Sequence, residues 1–282
     1  MTGSSFLLPP KVLVLIATFL VVNFMQLVAQ SQQSNTTSIR FVQPTLEKQP
    51  ENRGAPRDRK GAGTRGDCPA VKKSLTALVP LVQTTVNQKQ VTTGTPSKQY
   101  VLGLTTAEHP TFWFYVPYTL KNINSVKFVL LDEKNNSVTN EPIPITLSNT
   151  PGVISVSLPT TEKPLSIGQY YHWYFLIDCN PQSRSDDIAV EGLVQRITPK
   201  DELTRRLQTA TPRQRVALYA QAGIWQDAVT TLGELRRAKR QDATLAADWK
   251  ELLESVGLED IATEAILPKG DAQRANAPCC TP

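Results

Sequence analysis

Between Cys68 and Ile197 the chain alternates short apolar runs with polar turn clusters. Tyr100–Leu104, Thr111–Pro117, Val126–Leu131, Ile143–Leu147, Val153–Leu158, Tyr170–Ile177 and Ile188–Ile197 have the length and β-branched or aromatic content of strands. Asp132–Asn136 and Asn149–Gly152 gather residues that tolerate tight backbone angles, so they predict turns. Pro142, Pro144 and Pro159 suit edges and strand ends, because proline cannot donate to a ladder. About 130 residues in seven such runs predict an antiparallel, immunoglobulin-like β-sandwich over residues 67–197.

At Thr198 the pattern changes to a helical period. Thr198-Pro199-Lys200-Asp201 and Thr211-Pro212-Arg213-Gln214 each offer a capping threonine, a proline in the first turn and an acceptor three residues on. Val216, Tyr219 and Ala220 begin an apolar stripe that stops at Gly223, a left-handed cap. Trp225, Val229, Leu232 and Leu235 continue it on another helix, and Leu245, Trp249, Leu252, Leu253 and Val256 on a last one. The expected class is α+β, mainly β, with a small helical region over 198–267 and a disordered tail over 268–282.

The N-terminal segment changes the picture of where the chain works. Lys11 precedes the apolar run Val12–Val22, and Leu27-Val28-Ala29 resembles a cleavage site, so residues 1–29 are expected to be a signal peptide. The apolar run is short of the roughly twenty residues that a spanning helix needs, which disfavours an uncleaved anchor. Residues 30–66 are polar, then rich in Pro, Gly and Arg, and predict a disordered basic linker whose cations are available to an anionic membrane surface.

Charge narrows the partners. Residues 1–66 carry eight Lys/Arg and three Asp/Glu, a difference of +5, whereas residues 67–282 carry 22 of each. The folded part therefore has no net field to attract phosphate, and nucleic acid is not expected as a partner.

Ten of the nineteen aromatic residues fall in His109–Tyr118 and Tyr170–Cys179. Aromatic side chains at successive strand positions imply that both faces are covered or that one face is a contact surface. Trp113, Tyr115, Trp173 and Phe175 are the candidate binding residues on that reading, with Trp113 and Trp173 as stacking platforms for a sugar.

Catalytic options are few. The chain has two histidines, His109 and His172, neither at a recognisable spacing from a partner, and it lacks a nucleophile elbow, a His-Glu-x-x-His sequence and a phosphate loop. Asp132-Glu133 and Asp186-Asp187 are adjacent pairs that fit turns better than a two-carboxylate site. No cofactor and no metal are expected. Cys68 and Cys179 bracket the β region, and in an exported chain they are expected to form a disulfide closing a loop of roughly 110 residues. Cys279-Cys280 lies in the tail, where an incidental pair or an intermolecular bridge fits best. Arg65-Gly66-Asp67 spells a tripeptide of cell-adhesion ligands, but three common residues recur by chance, and it is expected instead to shape the turn into Cys68.

Several blocks carry a resemblance. Gly61–Pro69, Leu75–Pro80, Pro110–Tyr118, Phe128–Asp132, Pro151–Ser155, Tyr171–Phe175 and Ala217–Ala228 are similar to the exported cyanobacterial family catalogued as domain of unknown function 928. The resemblance covers about residues 54–265 and implies an exported protein without an assigned activity. Tyr219, Gly223, Trp225 and Ala228 also resemble the spacing of one tetratricopeptide repeat. A lone repeat must cover its apolar face, and packing on the β region is expected.

The expected function is a non-enzymatic interaction module that binds an extracytoplasmic protein, either a sensor or an envelope component. A carbohydrate-binding sandwich acting on an envelope polysaccharide is the alternative, and a hydrolase using His109 or His172 comes third. Periplasm or extracellular space is the expected location. Oligomeric state is not legible.

Overall fold

A computed structural model of the chain describes residues 38–46, 50, 58–61, 68–83, 99–119, 121, 123–147, 150–183 and 187–269. The expected signal peptide over 1–29, Arg65-Gly66-Asp67, Asp186, Cys279-Cys280 and most of the expected tail over 268–282 lie outside the described residues.

Nine strands and four helices follow one another in these residues: β1 Thr76–Ala77, β2 Leu81–Gln83, β3 Gln99–Thr105, β4 Thr111–Val116, β5 Ser125–Leu131, β6 Ile143–Pro144, β7 Gly152–Ser157, β8 Tyr170–Asp178, β9 Ile188–Arg196, α1 Asp201–Thr209, α2 Pro212–Gln221, α3 Trp225–Ala238 and α4 Ala243–Glu254. They form a three-stranded sheet, β1-β4-β7, and a six-stranded sheet, β2-β3-β9-β8-β5-β6. All pairings are antiparallel except β3 with β9, which is parallel. The all-antiparallel expectation is corrected there: the long connection through the five intervening strands lets the chain return beside β3 in the same direction.

All seven expected strands are present. Ile143–Leu147 contracts to Ile143–Pro144 at the edge of the large sheet, because Pro142 and Pro144 have no N–H to give a ladder. Thr76–Ala77 and Leu81–Gln83 are additional strands, too short for alternation to reveal.

The sheets face each other across Phe112, Phe114, Val126, Phe128, Leu130, Trp173, Phe175, Val190 and Val194, all buried. Phe114 meets Phe175 with ring centroids 4.2 Å apart, and Phe112 meets Phe128 at 4.7 Å. The alternate residues of β4 point the other way. Trp113 and Tyr115, with Val153 of β7, join Val216, Trp225, Val229, Leu232 and Trp249 of the helices in a second buried cluster. The small sheet is thus a middle layer with both faces covered, which explains why β4 is apolar at nearly every position.

The helix starts divide. Thr211 caps α2 as expected, its hydroxyl accepting from the Gln214 N–H while the Gln214 side chain accepts from the Thr211 N–H. Thr198 does not cap α1, which begins at Asp201 after Lys200. Ile197 N–H still bonds Thr105 O at 2.8 Å, so the chain leaves the sheet extended and turns only afterwards. Gly223 has φ +74°, and the bonds Ile224 N–H to Tyr219 O and Gly223 N–H to Ala220 O close α2 as a Schellman motif.

Two stretches of the expected linker are ordered. Ile39 is 1% exposed inside the helical cluster, the Phe41 ring stands edge-on to Trp225 at 5.3 Å, and Val42 N–H donates to Ala220 O at 3.0 Å. Further on, Lys60 bridges Thr76, while Arg59 is buried and donates to Val79 O at 3.1 Å, to Val256 O at 2.8 Å and to Gly257 O. The few apolar residues in 38–46 suffice for order because the helices supply the rest of the surface. At the other edge of the small sheet, Val153 N–H bonds Ala265 O and Leu267 N–H bonds Val153 O. Chain segments thus cover both edges of that sheet, which blunts them as templates for a neighbouring strand.

Candidate functional site

Cys68 and Cys179 are bonded, with Cα atoms 5.2 Å apart across 111 positions of sequence. The bridge joins the entrance of the β region to the end of β8 beside the intersheet core.

The four aromatic residues put forward as a contact surface are all inside. Trp173 and Phe175 are 0% exposed in the intersheet core, while Trp113 at 0% and Tyr115 at 5% lie beneath the helices and the chain that follows them. Trp113 donates its indole N–H to Thr230 Oγ1 at 3.0 Å, and the Arg237 guanidinium sits 4.4 Å above its ring centroid. Neither tryptophan named as a sugar platform is open to a sugar. The correction has a simple cause: β4 is sandwiched between two layers, and on β8 the alternation sends Trp173 and Phe175 inward and Tyr174 outward.

What remains open is the outer face of β5, β8 and β9. Pairing registers set it out in rows: Leu131, His172 and Leu193; Val129, Tyr174 and Glu191; Lys127, Leu176 and Ala189. All are partly exposed except Ala189, which is exposed, and Leu193, which is buried. His172 Nε2 lies 2.9 Å from Glu191 Oε2, with side chains 16% and 34% exposed. The Tyr174 hydroxyl and His172 Nδ1 share a hydrogen bond at 3.1 Å, and the two rings stack with centroids 4.3 Å apart. Burial raises the Tyr174 phenol above its usual range, and Glu191 reinforces the shift by charge and hydrogen bonding.

This array holds both imidazole nitrogens of His172 against protein groups. It makes a half-buried aromatic and apolar strip with charges of opposite sign on its two flanks, Lys127 on β5 and Glu191 on β9. Elsewhere in the same sheet, Val82, Tyr100, Leu102, Leu104, Tyr170 and Leu193 form a separate buried cluster with Leu46 and Ile197 packed against it. Desolvation there pushes the Tyr170 phenol up to about 12.

The other polar residues singled out from sequence serve the fold. His109 Nε2 is 3.0 Å from Glu162 O. Asp132 accepts from the Lys134 and Asn136 N–H groups at 2.8 Å each and from the Asn136 amide, and the Asn136 side chain is the largest influence holding its carboxyl below the usual range. It therefore builds the turn, where Asn135 has φ 64°. Among the described residues, no cluster of three or more His, Cys, Asp or Glu is disposed to hold a metal ion, and no helix is long and apolar enough to cross a membrane.

Tyr174 and Glu191 were not singled out in the sequence. The parity of Tyr170–Asp178 carries the signal: with Trp173, Phe175 and Ile177 inward, His172, Tyr174 and Leu176 must face out.

No curated protein and no solved structure matches the chain. The model of one family does match, over the β region and the helices together, and on that match the chain belongs to the family described as Domain of Unknown Function (DUF928), residues 60–266 being covered.

Proposed function

We propose that this protein is an exported, non-enzymatic interaction module, an immunoglobulin-like sandwich with a tetratricopeptide-like hairpin packed on it. Its docking surface is the outer face of β5, β8 and β9, and its partner is an extracytoplasmic protein.

One observation carries the reading: Val129, Leu131, Tyr174 and Leu176 form a contiguous, partly exposed apolar and aromatic strip, bordered by Lys127, His172 and Glu191. An apolar centre with a polar rim is the composition of a protein contact. The Cys68–Cys179 bridge supports an oxidising compartment, in keeping with the apolar leader. The packing of the helices supports a structural role for them, since their apolar face is already occupied by Trp113, Tyr115 and Val153.

Capture of the tagged chain from its own envelope tests the reading. Wild type is expected to retain a stoichiometric protein that Leu176→Asp and Tyr174→Ala both lose, while Arg205→Ala on α1, outside this face, retains it. Equal retention by all four chains contradicts the proposal.

A further inference from the structure

Residues 38–46 lie on the helices as a bound peptide lies on a receptor. We infer that they are a displaceable strap over a peptide-binding seat, which an extended segment of another protein, with an aliphatic residue two positions before an aromatic one, takes in their place. The seat adjoins β2, at the edge of the large sheet opposite β6, so the inference does not depend on the docking role proposed for β5, β8 and β9.

Helix ends make the seat. Ile39 is 1% exposed among the apolar side chains of the helices, and the Phe41 ring stands edge-on to Trp225 at the start of α3. Arg40 and Val42 face outward, Val42 being 53% exposed. This alternation is that of an extended ligand whose alternate side chains face its receptor. The main chain is held by groups at the helix ends: Ile39 N–H donates to Glu251 Oε2 of α4 at 3.2 Å, Phe41 N–H to Ser255 Oγ at 3.0 Å, and Val42 N–H to Ala220 O of α2 at 3.0 Å. The Ser38 hydroxyl also donates to Glu251. Gly223 keeps the path open, since a Cβ there would lie 2.8 Å from Pro44 Cβ and 3.0 Å from Val42 O.

Beyond Val42 the strap guards β2. Gln43 Nε2 donates to Leu81 O at 3.4 Å, and Gln83 N–H donates to Gln43 Oε1 at 3.3 Å. One side-chain amide thus takes the carbonyl and the N–H that one residue of an added parallel strand would take, through bonds that are long for their kind. Residues 38–46 join no ladder of their own. Their hold is one buried anchor, one partly buried ring and a few single hydrogen bonds. Set against the entropy of ordering, that hold favours the closed strap by a factor on the order of 100. An incoming segment that repeats the aliphatic and aromatic pair gains the same anchors, and its main chain can replace the Gln43 amide on Leu81 and Gln83.

A fluorescent peptide of residues 38–46, Ser-Ile-Arg-Phe-Val-Gln-Pro-Thr-Leu, stands in for the foreign segment and is titrated with the exported chain, disulfide intact. Ile39→Asp with Phe41→Ser opens the strap and leaves the seat unaltered. This variant is expected to bind the peptide about a hundredfold more tightly than wild type, in which the closed strap competes. Adding Glu251→Ala and Ser255→Ala to the opened variant should weaken binding about tenfold, and a peptide carrying Phe41→Ala should lose it. Hydrogen exchange on wild type makes the test independent of that variant's folding. Relative to their intrinsic rates, the Phe41 and Val42 amides should exchange at least about a hundredfold faster than those of Trp173 and Phe175 in β8, through opening of the strap alone. Equal binding by wild type and the opened variant, no binding by a folded opened variant, or protection at Phe41 and Val42 equal to that in β8 would each overturn the inference. Dimerisation of wild type in sedimentation without peptide, abolished by Ile39→Asp with Phe41→Ser, would put the strap of a second copy in the seat and overturn it too.

Discussion

A methyl group on Gly233 of α3 would lie 2.6 Å from Cζ2 of the Trp113 indole, so the helix rests directly on the ring. Trp113 belongs to β4, whose neighbours Phe112 and Phe114 fill the intersheet core on the opposite face. One strand therefore ties the two cores together, and the helices cannot be lifted away without exposing the middle of the molecule.

Gly233→Ala separates packing from helix preference. Alanine should gain about 1 kcal/mol in a helix interior. Overpacking against a fixed indole costs roughly 1–3 kcal/mol, more where nothing can move. A net loss of stability is expected in denaturant titration, with the sheet and helix signals unfolding together. A stabilised variant would mean that α3 does not rest on Trp113.

The disulfide closes a loop of 111 positions. Chain-entropy arithmetic assigns such a closure about 4–5 kcal/mol, an upper figure. Cys68→Ser with Cys179→Ser is expected to lower unfolding free energy by several kcal/mol at unchanged fold, read by denaturant titration beside wild type. Peptide mapping after alkylation without reductant should find Cys68 and Cys179 unlabelled.

Asp227 in the first turn of α3 is half-buried and accepts from the Thr105 hydroxyl at 2.7 Å and from the Thr106 N–H at 3.1 Å. Desolvation raises its carboxyl above the usual range, outweighing these bonds. The folded state therefore holds this proton to higher pH than the unfolded chain does. Stability from this group is present below the unfolded value, near ~3.9, and is lost as pH rises through the folded one. Asp227→Asn removes the titration, so its stability relative to wild type should improve as pH rises from about 4 toward neutrality. A difference that is flat with pH would contradict the assignment.

Gln226 is 1% exposed, and neither of its amide atoms has a hydrogen-bond partner among the described residues. Its Cγ is 3.0 Å from the position a Cβ on Gly103 would occupy, so the side chain fills space that a methionine could fill. Gln226→Met is expected to stabilise by about 1 kcal/mol, because it removes two desolvated polar atoms at similar volume. Thermal unfolding beside wild type measures it.

Much of this fold was legible in the sequence, and the exceptions share a cause. Alternation locates the seven longer strands, and cap chemistry locates α2, because both are local signals. The strap around Ile39 and Phe41 escapes because its order comes from Trp225 and the helix ends rather than from its own composition. Arg59 escapes for the same reason: it reads as a linker cation, yet its burial is met by three carbonyl oxygens and its guanidinium is held below the usual range by desolvation. The site was half legible. Concentrated aromatics pointed to β4 and β8, but the four put forward as a contact surface, Trp113, Tyr115, Trp173 and Phe175, are all buried. Parity along Tyr170–Asp178 selects His172 and Tyr174, and the partner Glu191 follows only from the β8–β9 register.

The open face of β8 is most directly tested by a photo-crosslinking residue placed at Tyr174 in cells, compared with one at Arg205 on α1. Adducts to protein at position 174, whether a second copy or another envelope protein, with none at 205, are the expected result. No adduct at 174, or equal adducts at both positions, would contradict the claim that this face is where the protein makes its contact.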